Sequence, residues 1–160
     1  MNLIDGKAVS ASVKEQIRAE IERDKLDIGL AVIIVGNNQA SRVYVNNKKK
    51  ACEACGIKSY EYALPEDTTQ DELMELIDTL NKDDKVNGIL CQLPLPKHLD
   101  EEKVIEAISP LKDVDAFNAV NVGKIITRSF PVPPQALWSL FTARAYRSRV
   151  RSALLSADRI

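Results

Sequence analysis

The stretch "LAVIIVGNNQASRVYVNNKKKACEACGIKSYEYALP", residues 30–65, decides the fold. It opens on "LAVIIVG", a continuous apolar run rich in β-branched residues. The run is too short for a helix and predicts a strand buried on both faces. A polar turn, "NNQ", follows. From about Ala40 the pattern predicts a helix that stops at Gly56, a residue suited to a left-handed C-cap. "IKSYEYALP" then alternates and ends at Pro65, which predicts a second strand. Strand, helix and strand in succession form a βαβ unit, and such units build parallel sheets.

The flanking sequence repeats the alternation. Upstream, Val9, Val13, Ile17 and Ile21 recur at helical spacing and predict a helix from Val9 to Lys25. Downstream, "EDTTQDELMELIDTLNKD" has capping-type Thr residues and then Leu73, Leu76, Ile77 and Leu80, an amphipathic helix. "VNGILCQLPLP" predicts a third buried strand running into a Pro-punctuated loop, and "DEEKVIEAI" a short helix with acids in its first turn. "LKDVDAFNAVNVG", residues 111–123, reads as a loop. The expected fold is α/β, a three-layer domain on a short, mainly parallel sheet.

Composition supports a folded domain. The chain has 160 residues, 45% hydrophobic and 28% charged, which excludes a disordered polyelectrolyte. No apolar leader opens the sequence and no run of 18 apolar residues occurs in it, so a cytoplasmic protein with no membrane contact is the expectation. Three Cys (Cys52, Cys55, Cys91) do not suggest a disulfide framework. Cys52 and Cys55 form C-x-x-C in mid-helix, and His98 is the single His. Thiol redox chemistry and a metal site are therefore both disfavoured.

Charge is uneven. Residues 127–160 hold six Arg, one Asp (Asp158), no Lys, no Glu and no Gly, whereas the preceding residues are net acidic. Such a change marks a boundary, so 1–126 is read as one domain and 127–160 as an aberrant tail.

In α/β sheets ligands bind beyond the carboxyl ends of the strands, which here means residues 35–41, 63–66 and 92–96. Tyr44 and Lys48 are four apart and share one face of the helix after the first strand. Ser41 lies one turn earlier, Gln92 closes the third strand, and Asp113 and Asp115 stand two apart in the later loop. Taken singly, these also read as a surface Lys, a core-edge Tyr, a strand-end Gln and a turn Asp.

Three motifs sharpen the reading. "VGNNQASRVYVNNKKKACEACGI", "NGILCQLPLP" and "SPLKDVDAFNAVNVGKI" together resemble the N-terminal domain of the bifunctional methylenetetrahydrofolate dehydrogenase/methenyltetrahydrofolate cyclohydrolase family. The resemblance implies that Lys48 is the catalytic lysine and that Tyr44 packs on the folate ring system. It implies that Gln92 hydrogen-bonds the lysine and that Asp115 binds the pterin, with Ser41 beside them at the substrate. It also implies oxidation of 5,10-methylenetetrahydrofolate with NADP and hydrolysis of the methenyl product to 10-formyltetrahydrofolate. The residue types suit that chemistry. A Lys whose pKa is lowered by burial or by a neighbouring cation (Lys49 and Lys50 adjoin it) can carry a proton at the one-carbon bridge. An aromatic face suits a flat ring, and a carboxylate suits the donor edge of a pterin. One position departs from the family pattern K-D-V-D-G-F: its Gly is Ala116 here. A left-handed backbone at that position would strain Ala by about 1 kcal/mol.

The family continues into a Rossmann-type domain that binds NADP, and the tail does not resemble it. Back-translated with suitable synonymous codons and read from the third nucleotide of the Phe130 codon, the tail gives PCAPAGVM and then SIEGKECVVVGRSN. Both resemble family segments in the right order. The tail is accordingly read as out of frame, the NADP site as missing, and the contacts of the family homodimer as lost. The alternative to an impaired enzyme is a non-enzymatic, unstable or merely folate-binding fragment. Six Arg among Trp138, Phe141 and Tyr146 also fit a nucleic-acid strand or a membrane-surface helix. Accidental composition accounts for both, so neither nucleic acid nor membrane is expected as a partner.

Overall fold

The computed structural model describes residues 6–127. Its elements are α1 (Gly6–Asp24), β1 (Gly29–Val35), α2 (Gln39–Cys55), β2 (Lys58–Leu64), α3 (Gln70–Lys82), β3 (Gly88–Cys91), α4 (Glu101–Ala107) and α5 (Ala119–Thr127). Residues 128–160, and with them the frame, nucleic-acid and membrane-surface readings of the tail, lie outside the described residues. Among the described residues, no helix is long and apolar enough to cross a membrane.

The three strands form one sheet in the order β2-β1-β3, and both pairings are parallel. Every residue of central strand β1 is buried, as its unbroken apolar run requires. Its side chains alternate between two cores. Leu30, Val32 and Ile34 join Ile17, Ile21, Val45, Cys52 and Cys55 of α1 and α2. Ala31, Ile33 and Val35 join Leu73, Ile77, Leu80 and Val104 of α3 and α4. The domain therefore has helices on both faces of the sheet, the three-layer α/β fold.

Local chemistry sets the element ends. Asn38 caps α2 by accepting from the Ser41 N–H at 3.1 Å. Gly56 ends the helix at φ 79°, with its N–H and that of Ile57 turned back to the Glu53 and Cys52 carbonyls. Of the two Thr residues before α3, Thr69 is the cap: its Oγ1 accepts from Glu72 N–H while the Glu72 carboxylate accepts from Thr69 N–H.

Two expectations are corrected. Val9 stays 55% exposed, while α1 buries Ser10, Ile17 and Ile21 and packs Val13 partly against the core. Residues 111–123 are not all loop, since α5 begins at Ala119. Asn118 starts that helix: its Oδ1 accepts from Val120 N–H at 3.0 Å. Helix α5 also runs through the division drawn at residue 126.

Candidate functional site

Strand order places the site. The chain steps from β1 to β2 on one side and then to β3 on the other, so the crevice opens where β1 and β3 end. The backbone N–H of Gln92 still pairs with Ile33 O at 2.8 Å, which holds the end of β3 against β1. Helix α2 begins directly above. A cleft of about 310 Å³ lies there, and Tyr44, Lys48, Gln92 and Asp115 all line it. Four of the five predicted site residues thus meet in one place. Ser41 does not: it is buried in the first turn of α2, outside the lining of the cleft.

Tyr44 and Lys48 play different physical parts. Lys48 is 6% exposed and Tyr44 is 53% exposed. A buried Lys stem beside an open aromatic face gives a covered amine and a platform for a flat ligand. Lys49 and Lys50 are both exposed, as neighbours one and two positions along a helix must be when Lys48 faces inward.

Gln92 differs from expectation. Its Nε2 donates to Leu93 O at 2.8 Å, while its Oε1 is buried without a hydrogen-bond partner among the described residues. The bond from lysine to glutamine that the resemblance implies is therefore not made here. The amide is instead turned onto its own chain by the bend after β3. A buried acceptor left open costs about 1–3 kcal/mol, and a ligand donor in the cleft would satisfy it.

Asp115 reaches the cleft through a backbone contact between distant segments. Ile89 and Asp113 form an isolated parallel bridge, with Ile89 N–H donating to Lys112 O at 2.7 Å. That register sets Asp115 beside Cys91, two residues further along each segment. Burial, then the charges of Asp115 and Glu101, push the Cys91 thiol up to about 12.

Every residue of "KDVDAF" has a distinct place. Lys112 is buried and donates to the Leu80 and Asp83 carbonyls at 2.9 and 2.8 Å, closing the C-terminus of α3. Asp113 is also buried and is discussed below. Val114 enters the core, and Asp115 lines the cleft. Ala116 has φ 59°, so the left-handed backbone considered from sequence is present. Phe117 then lines the cleft while 54% exposed.

The sequence reading missed Cys91, Leu93 and Phe117 as lining residues. Cys91 and Leu93 flank Gln92 at a strand end, which was a usable signal. Phe117 had none, because its place depends on the turn at Ala116. Cys52 and Cys55 are both buried, with thiols pushed up chiefly by that burial, Cys52 to about 12. Reactive thiols are shifted the other way. Among the described residues, no group of three His, Cys, Asp or Glu is placed to hold a metal ion.

Residues 4–115 match the tetrahydrofolate dehydrogenase/cyclohydrolase family, catalytic domain. A relative from Acetivibrio thermocellus, bifunctional protein FolD, is 64% identical over 127 residues, which is 78% of this chain and 45% of that protein. Among solved structures, the bifunctional enzyme FolD of Campylobacter jejuni, a methylenetetrahydrofolate dehydrogenase/cyclohydrolase, superposes with a TM-score of 0.76 at 42% identity. It covers 98% of this chain and 64% of its own. The corresponding Trypanosoma brucei enzyme, solved with NADP cofactor and an inhibitor, gives 0.75 at 28% identity, covering 98% and 61%. The chain spans about half the length of the curated relatives it matches.

Proposed function

Because the chain belongs to the tetrahydrofolate dehydrogenase/cyclohydrolase family, we propose that its cleft binds a 5,10-bridged tetrahydrofolate. In this reading Lys48 moves the proton in hydrolysis of the methenyl form to 10-formyltetrahydrofolate. The observation that carries it is the convergence of Tyr44, Lys48, Gln92 and Asp115 on one cleft of about 310 Å³. That volume is at the lower end of small-molecule sites.

The geometry supports the roles that the resemblance implies. Tyr44 offers an exposed ring for the flat part of the folate, and Asp115 a carboxylate for the pterin donor edge. The open Gln92 Oε1 can accept from the ligand or from the attacking water. Water adds to the bridge carbon between N5 and N10, and the Lys48 amine takes the proton that the water loses. Collapse of the adduct forms the formyl C=O with loss of the hydroxyl proton and breaks the bond from carbon to N5, and the proton held by Lys48 passes to N5 as it leaves. The net reaction consumes one water and releases one proton.

Oxidation of the methylene form with NADP belongs to the same proposal at the level of the whole family enzyme. The described residues do not fit a dinucleotide. The turn after β1 has one glycine, Gly36, and the turns after β2 and β3 have none, so no backbone cradle for a pyrophosphate is formed. No hydride step is derived for residues 6–127. The proposal keeps 1–126 as the folate-binding unit, 127–160 as a separate tail, and the cytoplasm as its location. It assigns NADP binding and the homodimer to the longer form.

The test follows the absorbance of 5,10-methenyltetrahydrofolate with the purified chain and with Lys48→Met. Turnover above the buffer rate that Lys48→Met loses supports the proposal. Folate binding without turnover moves the chain to the alternative, a folate-binding fragment. Neither binding nor turnover overturns the reading.

A further inference from the structure

Asp113 is 4% exposed and lies two residues before the proposed pterin-binding carboxylate, yet it does not line the cleft. A buried carboxylate is retained at a high desolvation cost and needs hydrogen-bond donors. Its Oδ2 accepts from Asn118 N–H at 3.1 Å and from Asn121 Nδ2 at 2.7 Å. Both bonds close back across the turn that contains Asp115, Ala116 and Phe117. Asn121 and Asn118 are themselves buried and tied outward. Asn121 Nδ2 also donates to Pro110 O at 2.9 Å, and Asn118 Nδ2 to Ile108 O at 3.2 Å. The turn is thus bracketed by a carboxylate on its β3 side and by two asparagines on its α5 side.

The bracketed turn is strained. Ala116 sits at φ 59°, a conformation that costs a residue with a Cβ on the order of 1–2 kcal/mol. Such strain persists where surrounding contacts over-determine the backbone. The hydrogen bonds to Asp113 supply that constraint, and the residues on either side of Ala116 are the two that the loop contributes to the cleft.

We infer that Asp113 and Asn121 are positioning residues, a buried clamp that holds the Asp115–Ala116–Phe117 turn in the conformation presenting Asp115 and Phe117 to the ligand. This rests on the proposed folate site for its consequence, while the clamp itself is a property of the fold. Because Lys48 stands on α2, outside the clamp, loosening the turn weakens ligand binding and leaves the proton step largely in place.

The experiment uses Asn121→Ala and Asp113→Asn in the full chain, with two readouts. Amide hydrogen exchange comes first. Exchange at Asn118 and through the turn accelerates in Asn121→Ala while β1 and α3 keep their protection. Unchanged protection of the turn overturns the clamp whether or not folate binds, and so does uniform loss across the domain. If Asp113→Asn fails to fold, Asn121→Ala decides alone, since it leaves the buried carboxylate its bond from the Asn118 N–H. The second readout is turnover of 5,10-methenyltetrahydrofolate. KM rises about ten- to a hundredfold with kcat within a few-fold, the scale of a misplaced binding group. Asn121→Ala adds little to KM once Asp115→Ala is present. A fall in kcat alone, or full additivity with Asp115→Ala, overturns the positioning role. A wild-type chain that neither binds nor turns over this folate overturns the functional reading, and the exchange data still judge the clamp.

Discussion

Tyr44 keeps 53% of its surface exposed while Lys48, one turn further along the same helix, keeps 6%. Sequence spacing puts the two on one face, and the fold tilts that face so that one ends in the open and the other under cover. The consequence is a division of labour. Lys48→Met keeps the buried stem and removes the amine, so methenyl hydrolysis is abolished while folate affinity changes only a few-fold. Tyr44→Ala removes the platform instead, and affinity falls about tenfold with kcat less affected, the scale of losing one aromatic stacking contact. Steady-state kinetics on both variants check the split. Identical losses in both parameters would count against it.

The strained position offers a stability test. Ala116→Gly relieves the left-handed strain but adds freedom to the unfolded chain, worth about 0.4–1 kcal/mol in the opposite direction. The expected result is a net gain of up to about 1 kcal/mol in thermal or urea unfolding. A clear loss of stability contradicts the φ of 59°.

Gly29 opens β1 where no side chain fits. A Cβ there would overlap the Lys85 carbonyl oxygen and stand 2.8 Å from the Tyr60 ring. The main-chain N–H of Gly29 is also held by Asn87 Oδ1 at 2.9 Å, so the strand cannot simply retreat. Gly29→Ala is expected to cost about 2–3 kcal/mol by overpacking, read as a lowered urea midpoint. A midpoint equal to wild type refutes the close approach.

The buried thiols make the fold sensitive to alkali. Cys52 and Cys91 are each pushed from 9.0 to about 12, first by burial. The folded thiols keep their protons to higher pH than the unfolded ones, so deprotonation between those values favours unfolding. Their contribution is intact below pH 9 and is lost as pH rises toward 12, by up to about 1.4 kcal/mol per pH unit for each group. Urea unfolding across this range tests it. Cys52→Ala and Cys91→Ala each flatten the slope relative to wild type, whatever they do to stability at neutral pH. An unchanged slope in both variants removes the thiols as its cause.

The order of elements was legible because its signals are local. The run from Leu30 to Gly36, the glycine at 56 and the Thr69 cap each act within a few residues of chain, and so did the pairing of Tyr44 with Lys48. The start of α5 was misread because Asn118, set between Phe117 and Ala119, is by itself a weak capping signal. Its capping role depends on how the buried network orients its amide.

By itself, then, the sequence determined the alternation of strands and helices, the central buried strand and a Tyr–Lys pair above its end, because periodicity and caps are short-range properties. The resemblance had singled out Asp115, but only the tertiary structure supplies the physical reason that it and not Asp113 faces the cleft. Asp113 and Asp115 are equivalent in composition and nearly so in spacing, but the bridge from Ile89 to Asp113 turns the first into the protein and sets the second beside Cys91. It also decided that Gln92 presents an open oxygen rather than a bond to the lysine. Both outcomes depend on hydrogen bonds and packing between segments far apart in the chain, which no local pattern encodes.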